Sequence, residues 1–223
     1  MMRVLYKDKI MLVVHKPAGY LVYGDKSTAG TPDCKAILEK KFRIKIFPVH
    51  RLDKDTSGIL IFALSKTSAF QLSNALRSSS TEKKYLALSR GELKGFLKID
   101  KPLKKNKSKD VEPATTVFHT LENFKIDSSD FTLLEASLET GRYHQIRRHL
   151  SGIRHAIVGD RIYGPKHEKP LPRQMHPDKL HLCAHFLKIQ HPLNKKFLIF
   201  QTNPDQEFQN CLQFLRKNSA SEL

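Results

Sequence analysis

The stretch Val49-His50-Arg51-Leu52-Asp53-Lys54-Asp55-Thr56-Ser57-Gly58 runs straight into Ile59-Leu60-Ile61-Phe62-Ala63-Leu64. An apolar run bounded by a polar turn predicts a buried strand. Asp53 therefore sits on a turn at the edge of a core, with cations supplied by its neighbours. Desolvation raises a carboxylate's pKa and nearby positive charge lowers it again, so the placement suits a carboxylate that stays ionised while partly desolvated. Local sequence alone favours a plainer role, an Asp that hydrogen-bonds the backbone N–H groups of its own turn.

Working outward, the first half alternates strands and helices. Ile10 to Val14 reads as a strand and Pro17-Ala18-Gly19 as a turn. Pro32 to Phe42 reads as a helix with Thr31 as cap, Pro32 in the first position and Ile37, Leu38 and Phe42 on one stripe. Ser65 caps the next helix, in which Ala69, Leu72 and Leu76 share a face. Lys84 to Ser89 is a strand. Later strands are expected over Thr115–Leu121, Phe131–Leu138, Leu180–Ile189 and Lys196–Gln201. A short helix over His144–Leu150 should turn Ile146, Leu150 and Ile153 inward. A final helix, capped by Asn203 with Pro204 first, should bury Phe208, Cys211, Leu212 and Leu215. The segment Lys104–Asp110 has no apolar anchor and reads as a surface loop, either merely solvated or gripping phosphates.

The chain has 223 residues and 39% apolar composition, enough for one sizeable domain. Lys and Arg outnumber Asp and Glu by 39 to 22 and the pI is near 9.8, so a polyanion, commonly nucleic acid, is the expected partner. No run approaches the ~18 apolar residues of a membrane span, and the N-terminus lacks a signal-peptide core. Cys34, Cys183 and Cys211 are far apart and odd in number, which fits reduced thiols of a cytoplasmic protein.

His50-Arg51-Leu52-Asp53 followed by Asp55-Thr56-Ser57-Gly58 resembles the catalytic motif of the RluA-type pseudouridine synthases. His15-Lys16-Pro17-Ala18-Gly19 is similar to the family's N-terminal lysine-proline-glycine turn. Lys83-Lys84-Tyr85-Leu86-Ala87-Leu88 is similar to its tyrosine motif, and Thr140 to Leu150, containing Gln145-Ile146-Arg147, to its arginine motif. His181 to Pro192 resembles the closing strand. The double arginine Arg147-Arg148 and its continuation to Gly159-Asp160 are nearest the TruC-type branch, which modifies tRNA. Two departures stand out: His15 replaces the more usual Asn or Asp, and Val22-Tyr23-Gly24 replaces a Val-His pair.

The resemblance implies an α+β fold: a single catalytic domain over residues 1–223, with a mixed, largely antiparallel bent sheet, flanking helices and a central RNA cleft. No separate N-terminal RNA-binding domain is expected, because the family-like sequence begins within the first ten residues. It implies isomerisation of uridine to pseudouridine, with Asp53, Tyr85 and Arg147 as catalytic residues. Asp53 either attacks the sugar or abstracts a ribose proton; Tyr85 lies under the uracil; Arg147 pairs with Asp53. No atoms are gained or lost, so no cofactor and no metal are expected. His50, Arg51, Lys83, Arg142 and Arg148 are expected to bind RNA, with Lys16, Lys84, Arg154 and Arg161 adding neutralisation. The RNA is tRNA by the branch resemblance, with large-subunit rRNA as the alternative, and the protein is expected to be a monomer.

Plainer readings stand beside these. Tyr85 also suits a core strand position, and both arginines also suit surface RNA contacts. His181-Leu182-Cys183-Ala184-His185 has the spacing of a helical zinc pair, but its context is a strand and it lacks the Glu of HExxH. A non-catalytic RNA-binding protein is the stronger rival, although a pure binder gains nothing from an Asp that repels phosphate.

Overall fold

The computed structural model describes residues 2–105, 108–165 and 170–219. In chain order the elements are β1 (Arg3–Lys7), β2 (Met11–Lys16), α1 (Cys34–Phe42), β3 (Phe47–Pro48), β4 (Ser57–Ala63), α2 (Lys66–Arg77), β5 (Glu82–Arg90), β6 (Phe96–Asp100), β7 (Leu103–Lys104), β8 (Val111–Glu112), β9 (Thr115–Ile126), β10 (Ser129–Leu138), α3 (Gln145–Gly152), β11 (Leu182–Gln190), β12 (Phe197–Gln201) and α4 (Gln206–Asn218). The architecture is α+β with a mixed sheet. The residues divide into two compact units, one of residues up to Lys83 together with Cys183–Asp205, the other of Lys84–Leu182 together with Gln206 onward.

In the first unit the strand order is β1-β2-β4-β11, with β3 also on β4 and β12 on β11. All pairs are antiparallel except β4 with β11, where Ser57 faces Cys183 and Gly58 faces Ala184. Every residue of β4 is buried, as the apolar run predicts for a strand covered on both faces. Met11, Val13, Ile59, Ile61, Leu72, Leu76, Leu187, Ile189 and Phe200 form one core around it. The close approach of β4 and β11 depends on Gly58. Its φ is +115°, and a Cβ there would lie 2.2 Å from the Ala184 carbonyl oxygen.

The second unit has the antiparallel order β5-β10-β9-β6, with β7 and β8 as a small hairpin. Ala87, Phe118, Leu134, Ala136, Ile146, Leu150, Ile157 and Leu180 make its core, with Tyr85 packed against it. Helix α4 buries Phe208, Cys211, Leu212 and Leu215, the expected stripe.

Several expectations need correction. Helix α1 starts two residues later than Pro32. Asp33, not Thr31, is its cap, accepting from the Ala36 N–H at 3.0 Å. Pro32 lies outside the helix, and its carbonyl accepts from the Leu21 N–H. Ile37 and Ile153 face solvent. Helix α4 begins at Gln206, past Asn203 and Pro204. Strand β9 runs on to Ile126, five residues beyond the predicted end. In the Lys104–Asp110 segment, Lys104 pairs in β7, and residues 106–107 lie outside those described. All three cysteines are buried and unbridged. Among the described residues, no helix is long and apolar enough to cross a membrane.

Candidate active site

In the first unit, the turn before β4 carries Asp53 half-buried, between buried Leu52 and buried Thr56. The turn is tied at several points. The Asp53 carbonyl accepts from the Thr56 N–H at 3.2 Å. The Lys54 carbonyl accepts both the Gly19 N–H, at 2.9 Å, and the Lys16 ammonium, at 2.8 Å. Lys16 is fully buried and also donates to the carbonyls of Pro17, at 3.0 Å, and Tyr20, at 2.8 Å. Burial lowers its pKa to about 8, against the opposing pull of Cys34, Asp205, Asp55 and Asp53. Lys16 therefore does not contact phosphate as expected. Its three donors are spent on backbone, and it staples the lysine-proline-glycine turn to the loop of Asp53.

His15 accounts for its own departure from the family pattern. Its Nε2 is 2.6 Å from Asp205 Oδ1 and its Nδ1 is 2.9 Å from Thr202 Oγ1. The other oxygen of Asp205 accepts the Ala18 N–H at 2.8 Å. Burial alone would raise the Asp205 pKa, but the bonds from His15 and Ala18 hold it below the ordinary carboxylate range. A carboxylate from near residue 205 thus braces the turn that braces Asp53.

His50 proves to be an anchor. Its Nε2 accepts the Ile61 N–H of β4 at 3.0 Å, and burial, helped by Lys83, lowers its pKa to about 4. The ring is therefore neutral at pH 7. Arg51, the next residue, is exposed. Lys83 is half-buried, and burial lowers its pKa.

In the second unit, Tyr85 lies near the start of β5, opposite Ala136. Helix α3 presents Arg147 and Arg148 differently, as their 100° separation requires. Arg147 is buried and forms a bidentate pair with Asp160, Nε to Oδ2 and NH2 to Oδ1, both 2.8 Å. Arg148 is half-exposed and donates to the carbonyl of Lys104 at 3.0 Å. Arg142 donates through Nε to the Pro113 carbonyl at 2.9 Å, with Glu112 3.4 Å from NH1.

The start of α3 is fixed by Gln145. Its Oε1 accepts from Thr140 Oγ1 and the Arg142 N–H, and its Nε2 donates to the Thr115 carbonyl and Thr116 Oγ1, all at 2.8–2.9 Å. Every polar atom of this buried amide is used, as burial demands. Neither Gln145 nor Asp160 is among the site residues expected from the sequence. The sequence does carry part of the signal: an arginine beside the inward stripe of Ile146 and Leu150 needs a buried carboxylate partner. Among the described residues, no group of three or more His, Cys, Asp or Glu is arranged to hold a metal ion.

Residues 10–152 match the sequence profile of the family described as RNA pseudouridylate synthase. The chain belongs to this family. Its members are isomerases acting on RNA, so this synthase makes pseudouridine. It is 31% identical to tRNA pseudouridine synthase C of Vibrio cholerae, over 95% of each chain. It is 33% identical to ribosomal large subunit pseudouridine synthase C of Pasteurella multocida, over 98% of this chain and 69% of that one. The fold matches that of human RNA Pseudouridylate Synthase Domain Containing 1, with a TM-score of 0.74 at 22% identity, over 97% of this chain and 95% of the other.

Proposed function

We propose that this synthase isomerises one uridine of a structured tRNA, with Asp53 as the catalytic carboxylate. The observation that carries the reading is the Asp53 turn itself: a half-buried carboxylate in a loop tied down by Lys16, Gly19 and His50, next to exposed Arg51. Asp53 starts the reaction at the ribose, by attack or by proton abstraction. The C1′–N1 bond breaks, the uracil turns, C5 bonds to C1′, and the C5 proton is given up while N1 is protonated. Tyr85 stacks on the base and serves the proton at C5. Arg147, the arginine of the family-like motif, is the third catalytic residue of this reading.

A paired uridine must leave its helix to react, at a cost of about a few kcal/mol. Arg51 offers a planar cation that both stacks and binds phosphate. Lys83, Arg142 and Arg148 neutralise backbone, and His50 contributes only as an uncharged ring. The protein acts as one catalytic domain, a cytoplasmic monomer. Support for tRNA comes from the Vibrio relative's near-complete mutual coverage. The Pasteurella relative, at similar identity, keeps large-subunit rRNA as the second reading.

The test is turnover on RNA from cells lacking the gene, labelled with tritium at uracil C5, with tritium release as the readout. Asp53→Asn should release none while binding that RNA as tightly as the parent or tighter. Turnover by Asp53→Asn would overturn the assignment. Mapping pseudouridine in total RNA with and without the gene decides the target: a site lost from tRNA supports the first reading, and one lost from rRNA the second.

A further inference from the structure

The surroundings of Arg147 are more elaborate than a buried cation requires. Asp160, fully buried at its side chain, takes the Nε and NH2 edge of the guanidinium in two bonds of 2.8 Å. Its Oδ1 also accepts the N–H groups of Ile162 and Tyr163, at 3.0 Å each. Burial by itself would raise the Asp160 pKa, but these donors hold it below the ordinary carboxylate range, so the pair is ionic. The Tyr163 ring lies over the guanidinium, 5.3 Å from centroid to Cζ. Its hydroxyl is 3.1 Å from Nδ1 of His144, the residue before α3.

The backbone around this clamp is specialised on both sides. His144 has φ +52°, an uncommon conformation for a residue other than glycine. Gly159 has φ +78°, and a Cβ there would lie 1.8 Å from the Lys179 carbonyl oxygen. Strained backbone concentrates where a side chain must be held in one direction for function. If only stability were at stake, apolar side chains of similar volume would serve as well as a buried ion pair.

The geometry points to Asp160 as a positioning residue for the isomerisation, acting through Arg147. A guanidinium carries five donors in a rigid fork. Asp160 engages two of them and Tyr163 covers one face, so the direction of the remaining donors is set. The inference rests on the reading in which Arg147 is a catalytic residue. The isosteric change Asp160→Asn weakens the grip while keeping the volume.

The experiment measures tritium release from the C5-labelled RNA described above, with RNA affinity and thermal melting in parallel, for Asp160→Asn, Arg147→Ala and the double variant. Misplacing a catalytic group by about 1 Å costs about 100-fold in rate, and that loss is expected in kcat for Asp160→Asn, with RNA affinity little changed. In the Arg147→Ala background the same change should cost almost nothing more, because residues acting through one another are not additive. Parent-level kcat in Asp160→Asn beside an inactive Arg147→Ala would overturn the inference and leave the proposed function standing. An active Arg147→Ala would overturn the catalytic reading of Arg147, and the inference with it. Should Asp160→Asn not fold at the assay temperature, Tyr163→Leu and Tyr163→Phe decide. The Leu variant, lacking the ring, should lose about 5- to 10-fold in kcat and the Phe variant keep it; an unimpaired Leu variant would overturn the inference.

Discussion

The Lys16 ammonium lies 2.8 Å from the carbonyl oxygen of Lys54, the residue that follows Asp53. The loop bearing the proposed catalytic carboxylate is thereby held from beneath by a buried cation some forty residues earlier in the chain. Lys16→Met removes the donor to the Pro17 and Tyr20 carbonyls, while the Lys54 carbonyl keeps the Gly19 N–H. A buried carbonyl left without a partner costs about 1–3 kcal/mol, partly offset by relief of the ammonium's own desolvation. A net loss of about 2 kcal/mol is expected, together with a fall in kcat at nearly constant RNA affinity. Urea unfolding and turnover check both; parent-like kcat would show that the staple does not position Asp53.

Acid should destabilise this protein at a milder pH than its carboxylates alone would dictate. Burial lowers the pKa of both His50 and His181 to about 4, and moves His149 in the same direction. An unfolded histidine titrates near 6.5, so between about pH 6.5 and 4 the unfolded chain binds more protons than the folded one. Stability therefore falls as pH drops through that window, by up to about 1.4 kcal/mol per pH unit for each histidine. His50→Gln, whose amide oxygen can still accept from Ile61, should flatten the slope by roughly one proton. Urea midpoints at pH 7 and pH 5 measure it, and an unchanged slope would refute the His50 share.

Lys16 adds a contribution of the same sign at high pH. Its folded pKa, about 8, lies below the unfolded value near 10.5. Between those limits the unfolded state again holds more protons, so this group's contribution to stability grows as pH rises from 8 to about 10.5. Lys16→Met should abolish that rise, measured by the same unfolding series.

Gly58→Ala tests the parallel contact inside the first unit. The added methyl would meet backbone, 2.2 Å from the Ala184 carbonyl oxygen and 2.6 Å from its nitrogen, at a φ of +115°. Neither backbone can yield without breaking the ladder, so a loss of about 3 kcal/mol or more is expected. A melting temperature within a degree or two of the parent would contradict the stated geometry.

Arg51→Ala should weaken RNA binding and lower the magnitude of the salt slope by about one, as removal of a single phosphate contact does. Its neighbour His50 is neutral and bonded to Ile61, so His50→Gln should leave that slope unchanged. Binding isotherms at two or three salt concentrations separate the two residues.

Much of this protein could be read from its sequence, for reasons that also mark the misses. The run Ile59–Leu64 and the stripe Phe208–Cys211–Leu212–Leu215 declare themselves because apolar periodicity is a local signal. The start of α1 is ambiguous in the sequence because Thr31 and Asp33 are both competent caps, and the structure shows that Asp33 accepts from the helix. Lys16 looks like an RNA contact in the sequence, which displays charge and not burial; its three carbonyl partners come from the turn after β2 and from the distant Asp53 loop. The buried arginine calls for a carboxylate, but only the fold shows that Asp160 supplies it. His50 and Arg51 are adjacent in the chain, yet one faces inward to β4 and the other faces water.

The first unit takes its last strands, and the carboxylate of Asp205, from residues 183–205. During synthesis, Met11, Ile59 and Leu72 therefore wait for Leu187, Ile189 and Phe200 before their core can close. At about 5–20 residues per second, the interval from Lys83 to Asp205 lasts roughly 6–24 s. Throughout it the nascent chain carries an unfinished apolar surface, and that surface is where a chaperone would bind and where a truncated translation product would aggregate.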